Sequence, residues 1–176
     1  MATPANGSGT GSPVPATTPA ATGSGDLGAP LYIAWQVTNE CNMACLHCIE
    51  ESGPGKAFHD ELDDGQVFRV LEQAMDLEVP YLSFSGGEPM VHPRFFDMVA
   101  YVCGRNGQLK IETNGAYLTP ENCARLKELG VKAVQVSLDG ASRETFNRMR
   151  VRGDFDVTVR GVRNLRTAGV PIEINF

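Results

Sequence analysis

The sequence lacks any apolar run approaching the roughly 20 residues that a membrane-crossing helix requires. It also lacks a basic excess. The formal net charge is −6, which argues against a general affinity for nucleic acid or for an anionic membrane surface. The N-terminus has no basic patch followed by an apolar stretch, so it does not resemble a secretory signal, and the expected location is the cytoplasm. Thiols stay reduced there, and clustered cysteines usually mean metal binding or catalysis. Charge is missing altogether from Met1 to about Gly25, a stretch dominated by Ala, Gly, Pro, Ser and Thr. Such a segment has too little apolar surface to offset its ordering entropy. Residues 1–26 are therefore expected to form a disordered tail, and residues 27–176 the folded domain.

What is there alternates. Leu31–Thr38 is β-branched and aromatic, as a strand is, and Gly65–Leu77 spaces Val67, Val70, Leu71 and Ala74 as a helix does. Tyr81–Ser85 predicts a second strand, and Pro93 suits the first turn of a helix carrying Phe95, Phe96, Met98, Val99 and Val102. Leu109–Thr113 predicts a third strand. A helix over Pro120–Leu129 follows, with Thr119 as its N-cap and Gly130 as its stop. Ala133–Leu138, a helix over Val157–Thr167 and the strand Pro171–Phe176 complete five strands and four intervening helices. Repeated βα units of this length imply a parallel sheet with right-handed crossovers, as an open sheet or as a barrel.

In parallel α/β architectures ligands sit at the C-terminal ends of the strands. The segments just past those ends are TNECNMACLHC, SGGEP, TNG and SLDG, so the unusual chemistry falls on one rim. The first loop holds Cys41, Cys45 and Cys48 at C-x3-C-x2-C spacing. Three thiolates can hold three irons of a [4Fe–4S] cubane and leave the fourth open to a small molecule. A zinc site completed by His47 or a distant residue, and reduced structural thiols, are the alternatives. Zinc loops more often show paired C-x2-C knuckles, and this loop has one such pair. Cys103 and Cys123 sit within predicted helices among apolar neighbours and read as small hydrophobes.

The cysteine loop after the first strand, GGEP after the second, TNG after the third and SLDG after the fourth together resemble the radical SAM superfamily. The resemblance covers about Leu31 to Phe176. It implies an α/β fold, a parallel (βα)n partial barrel, with about five of the family's six strands present. The sequence therefore reads as a piece of a longer chain. It implies an enzyme that binds a [4Fe–4S] cluster on Cys41, Cys45 and Cys48 and S-adenosylmethionine (SAM) on the open iron. One-electron cleavage of SAM to methionine and a 5′-deoxyadenosyl radical, followed by hydrogen abstraction from substrate, is the implied chemistry. No protein side chain is assigned to that step.

The same resemblance assigns SAM contacts. The backbone of Gly86 and Gly87, helped by Glu88, is expected at the methionine ammonium. Thr113 and Asn114 are expected at the methionine or ribose, and Ser137 and Asp139 at the ribose hydroxyls. His47 is expected to pack near the adenine, with Ile49 in the same pocket, and Arg150 to pair with the SAM carboxylate by bidentate geometry. Arg148 and Arg152 read as solvated surface. The implied partners are a reductant protein of flavodoxin or ferredoxin type and an unidentified small-molecule or peptide substrate. The motif spellings are most similar to the branch of molybdenum-cofactor synthesis and of SPASM-type maturases, which act in cofactor biosynthesis or peptide modification. A catalytically inactive iron–sulfur or zinc-binding fragment is the alternative.

Overall fold

The computed structural model describes residues 28–176; the expected tail, residues 1–26, lies outside the described residues. The main sheet has five parallel strands: β1 (Tyr32–Gln36), β3 (Tyr81–Ser85), β4 (Gln108–Thr113), β5 (Ala133–Ser137) and β7 (Ile172–Asn175). Their order across the sheet is β1-β3-β4-β5-β7, so neighbours in the chain are neighbours in space. The connecting helices are α1 (Asp64–Asp76), α2 (Phe95–Gly104), α3 (Pro120–Leu129) and α5 (Phe155–Ala168). Each packs beside the next, α1 on α2, α2 on α3, and α3 on α5. A sheet wound in both directions would reverse its strand order at a switch point. This one does not reverse, so its helices stay on one face and the sheet forms an arc of a barrel.

Alternation along each strand creates the two faces. Leu82, Phe84, Leu109, Ile111, Val134 and Val136 point to the helices and join one buried core with Leu71, Met98, Val99, Leu126 and Leu165. The opposite, concave face is polar. Ser83 Oγ donates to Glu112 at 2.7 Å, and Lys110 Nζ donates to Gln135 at 3.1 Å while lying 3.3 Å from Glu112.

The α3 caps follow the sequence, whereas Pro93, expected in the first turn of α2, precedes its N-cap Arg94. Asp63 and Gln66 close a reciprocal box at the start of α1, each side chain accepting from the other's backbone N–H at 2.8 and 2.9 Å. Thr119 caps α3, and Gly130 ends it with φ 80°. Several short elements were not expected, among them a single 3₁₀ turn over Pro89–Val91. A seven-residue helix, α4 (Arg143–Met149), follows β5, and a two-residue ladder pairs β2 (Ala44–Cys45) with β6 (Arg150–Val151). None is long enough to carry a periodicity. The described residues include no helix long and apolar enough to cross a membrane.

Candidate functional site

The loop after β1 is folded by its own polar side chains. Thr38 donates through Oγ1 to both carboxylate oxygens of Glu61 at 3.1 and 3.0 Å, and the backbone N–H of Asn39 reaches the same carboxylate at 2.7 Å. Asn39 accepts from Ser52 Oγ at 2.6 Å, and Glu40 accepts from the N–H groups of Gly55 and Ala57. Thr38, Asn39, Glu40, Ser52 and Glu61 thus set the path that presents the thiols. The sequence reading assigned them no role, because their partners lie 13 to 23 residues away.

All three thiols line one cavity of about 150 Å³, together with His47, Gly86, Gly87, Asn114 and Arg150. Each sulfur faces an N–H donor. Cys41 Sγ accepts from Met43 N at 3.4 Å and from Asn114 Nδ2 at 3.7 Å. Cys45 Sγ accepts from Arg150 Nη1 at 3.8 Å, and Cys48 Sγ accepts from Ser52 N at 3.3 Å. Donors aimed at sulfur favour the thiolate and tune whatever metal it holds. Burial pushes the Cys41 and Cys45 thiols up from their ordinary value; the Met43 hydrogen bond opposes this at Cys41 and the Arg150 charge at Cys45. Among the described residues no three of His, Cys, Asp or Glu converge on a point that suits a single metal ion. Cys103 and Cys123 stand apart in α2 and α3, packed in or against the core, with burial lifting each thiol to about 11.

The GGEP turn lies against the start of the cysteine loop. Gly87 N donates to Thr38 O at 2.8 Å and Glu88 N donates to Glu40 O at 2.9 Å. A Cβ on Gly87 would overlap the Glu40 carbonyl oxygen and fall 2.8 Å from Asn39 O, and one on Gly86, at φ 139°, would overlap Thr38 O. What these glycines admit on that side is the loop's own backbone; their other edge faces the cavity.

Glu88 turns away from the cavity. It is 0% exposed, and its carboxylate accepts from Thr113 Oγ1 at 2.9 and 3.0 Å, from Asn114 N at 2.8 Å and from Met90 N at 3.1 Å. The side chain therefore joins the second and third strand ends rather than lining the site. Desolvation raises its pKa from 4.5 to about 7, against the pull of those hydrogen bonds. The folded chain thus keeps a proton that the unfolded chain releases between these two values, and stability falls as pH rises through that window. The full shift corresponds to about 3 kcal/mol. Urea unfolding at about pH 5 and about pH 8 should show the decline, and E88Q should remove Glu88's share of the slope whatever its absolute stability.

Of the other expected residues, Thr113 lies under the turn, while Asn114 reaches the cavity and also donates to Asn42 at 2.8 Å. Ser137 ends β5, half-buried, on the same face as Gln135. Asp139 lies beyond it, its Oδ2 3.0 Å from His47 Nε2 and 2.6 Å from Arg150 Nε. Those atoms are close as an ion pair, yet Asp139 Oδ2 and Arg150 Nε are fully covered without an aligned hydrogen bond. Arg150 is 7% exposed and lines the cavity, directed at Cys45 and Asp139. Arg148 is exposed and pairs with Glu144. Ile49 departs from expectation: it is 93% exposed, because the turn closed by Glu51 N on Cys48 O carries it out to solvent.

A family model described as the radical SAM superfamily matches residues 35–176. The mycofactocin maturase MftC of Mycobacterium tuberculosis is 38% identical over 143 residues, which are 81% of this chain and 36% of that protein. The AdoMet-dependent heme synthase of Methanosarcina barkeri is 34% identical over 148 residues, 84% of this chain and 42% of that protein. The chain thus spans less than half the length of these relatives. Among solved structures, Streptococcus suis SuiB bound to S-adenosylmethionine superposes with a TM-score of 0.73, covering 84% of this chain and 34% of that one at 18% identity. At that identity the likeness speaks for the fold alone.

Proposed function

We propose a function from one premise: this chain belongs to the radical SAM superfamily. It is the cluster-binding and SAM-binding portion of a radical SAM enzyme, with Cys41, Cys45 and Cys48 as the thiolates of a [4Fe–4S] cluster. The observation that carries this reading is that all three cysteines line one cavity, each sulfur met by an N–H donor from the chain. When bound, the cluster supplies one electron to the sulfonium C–S bond of SAM, giving methionine and a 5′-deoxyadenosyl radical that takes a hydrogen atom from substrate.

The chain's own residues bind and orient. The cavity-facing backbone of Gly86 and Gly87 offers polar groups to the methionine ammonium, and Asn114 reaches the same space. Glu88 and Thr113 act beneath them, holding the second and third strand ends in register. His47, 3.0 Å from Asp139 Oδ2, presents a flat ring at the cavity wall for the adenine, and Ser137 stands at the next strand end for ribose hydroxyls.

The relatives include proteins named as a mycofactocin maturase and as a heme synthase, and SuiB is also known bound to precursor peptide SuiA. A peptide or small-molecule substrate, in cofactor synthesis or peptide modification, is the corresponding proposal. It includes a cytoplasmic setting and an electron supplied by a flavodoxin or ferredoxin.

The test is anaerobic reconstitution of the chain with iron and sulfide, followed by reduction in the presence of SAM. 5′-Deoxyadenosine should form with the reduced protein and not with the unreduced one. Purification with zinc in place of iron and sulfide, and no 5′-deoxyadenosine, would instead favour an inactive metal-binding fragment.

A further inference from the structure

The ladder between β2 and β6 sets Cys45 opposite Arg150 in antiparallel register. Leu46 N donates to Met149 O at 2.9 Å, so the pairing extends past the named strands and clamps the middle of the cysteine loop to the segment after α4. Behind the pair, Phe146 is fully buried under the guanidinium, 5.9 Å from its ring centre. Gly153 N donates to Arg150 O at 2.9 Å, and a Cβ on Gly153 would meet that oxygen, so the backbone at Arg150 is enclosed on this side. Arg150 is held by backbone register, an aromatic ring and a carboxylate, and what it presents to the cavity is an N–H directed at Cys45 Sγ at 3.8 Å.

We propose that Arg150 is a positioning residue for the Cys45 thiolate, whose charge and N–H···S contact raise the reduction potential of the cluster held there. This rests on the reading that the three cysteines hold a [4Fe–4S] cluster. Reduction adds one negative charge to the cluster, and a fixed cation beside one of its thiolates stabilises the more negative state. Asp139 makes the effect adjustable. Its carboxylate lies 2.6 Å from Arg150 Nε, on the far side from the Nη1 that meets sulfur. Asp139 partly neutralises the guanidinium and also holds it in place. The pair acts as a dipole with its positive end toward Cys45. The guanidinium meets sulfur through Nη1 and lies against the Asp139 carboxylate at Nε, so its charge is fixed beside Cys45.

The experiment is a redox titration of the reconstituted full chain without SAM, followed by electron paramagnetic resonance, for wild type, R150Q, R150K and D139N. R150Q should shift the cluster to a more negative potential. R150K, which keeps the charge without the planar fork, should shift it less in the same direction. D139N, which leaves the guanidinium uncompensated, should shift it to a more positive potential. Opposite signs for R150Q and D139N are not what general loosening of the site would produce. Should R150Q fail to take up iron, the opposed shifts of R150K and D139N carry the same decision. Unchanged potentials, or shifts of one sign in all variants, overturn the proposal and leave the cluster reading standing. So does a loss of SAM affinity in R150Q with its potential unmoved. A wild-type chain that takes up no iron and sulfide overturns both.

Discussion

Alanine in place of any one of Cys41, Cys45 or Cys48 is expected to remove essentially all bound iron and acid-labile sulfide, and with it SAM cleavage, while leaving the fold in place. Each thiolate serves a different iron, so losing one cannot be shared among the other two. The change also leaves N–H groups without their acceptor: Met43 N and Asn114 Nδ2 at Cys41, Arg150 Nη1 at Cys45, and Ser52 N at Cys48. A donor buried in that condition costs about 1–3 kcal/mol, a local penalty that water entering the cavity reduces. The main core lies on the other side of the sheet, around Leu82, Phe84, Ile111 and Val134, and shares no side chain with the three thiols. Circular dichroism should therefore stay close to wild type while the iron content collapses. Cys103→Ala and Cys123→Ala supply the contrast. Both should retain iron, with Cys123→Ala losing some stability because that thiol is fully buried in the core. An alanine variant of the loop that kept its full complement of iron would remove that cysteine from the ligand set.

The second large effect is structural. Gly87→Ala would drive a methyl group into the backbone of Asn39 and Glu40, with the Glu40 carbonyl carbon only 2.7 Å away. Backbone has no rotamer with which to evade it, so the turn and the loop must separate. The Gly87 N to Thr38 O and Glu88 N to Glu40 O bonds go with them. A loss of about 3 kcal/mol or more in urea unfolding is expected, in the range seen when overpacking and broken hydrogen bonds combine. Iron uptake should fall as well, since the same backbone leads directly into Cys41. Gly104→Ala is the control. Its Cβ would meet nothing within 4 Å at the end of α2, and there alanine should stabilise by up to about 1 kcal/mol. Equal stability for Gly87→Ala and wild type would mean that the close approach of these two backbones is not what the glycine is for.

The main strands and the four long helices were legible because burial on one face writes a period into the sequence, as QLKIET in β4 and AVQVS in β5 do. The Thr119 and Gly130 caps were legible for a similar reason: a local backbone need selects a residue type. The cysteine loop drew notice by its spacing, which by itself left zinc and structural thiols as alternatives to a cluster. Illegible were the contacts made at a distance by ordinary residues. Nothing in the composition around Glu61 says that its carboxylate organises Thr38 and Asn39, and nothing around Arg150 says that it faces Cys45. Glu88 is instructive, since the motif drew attention to it while its carboxylate serves Thr113 and Asn114. A motif marks which positions are constrained. It does not reveal which way the side chain turns. Whether the parallel sheet is open or curves as a barrel was not legible in periodicity, because strand order is a property of pairing.

The partner that faces Cys45 lies 105 residues further along the chain. At the roughly 5–20 residues per second of protein synthesis, that separation is a delay of about 5 to 20 s between the appearance of the cysteine and of the arginine. Of the N–H groups that meet the three sulfurs, only those of Met43 and Ser52 come from the same loop; Asn114 and Arg150 arrive 73 and 105 residues after their cysteines. The nascent loop therefore spends the interval as a cysteine-rich segment without its distant shield, open to oxidants and to stray metal ions. Orderly loading of the site is a matter of timing as much as of affinity: iron and sulfide are best delivered once the ribosome has passed Arg150.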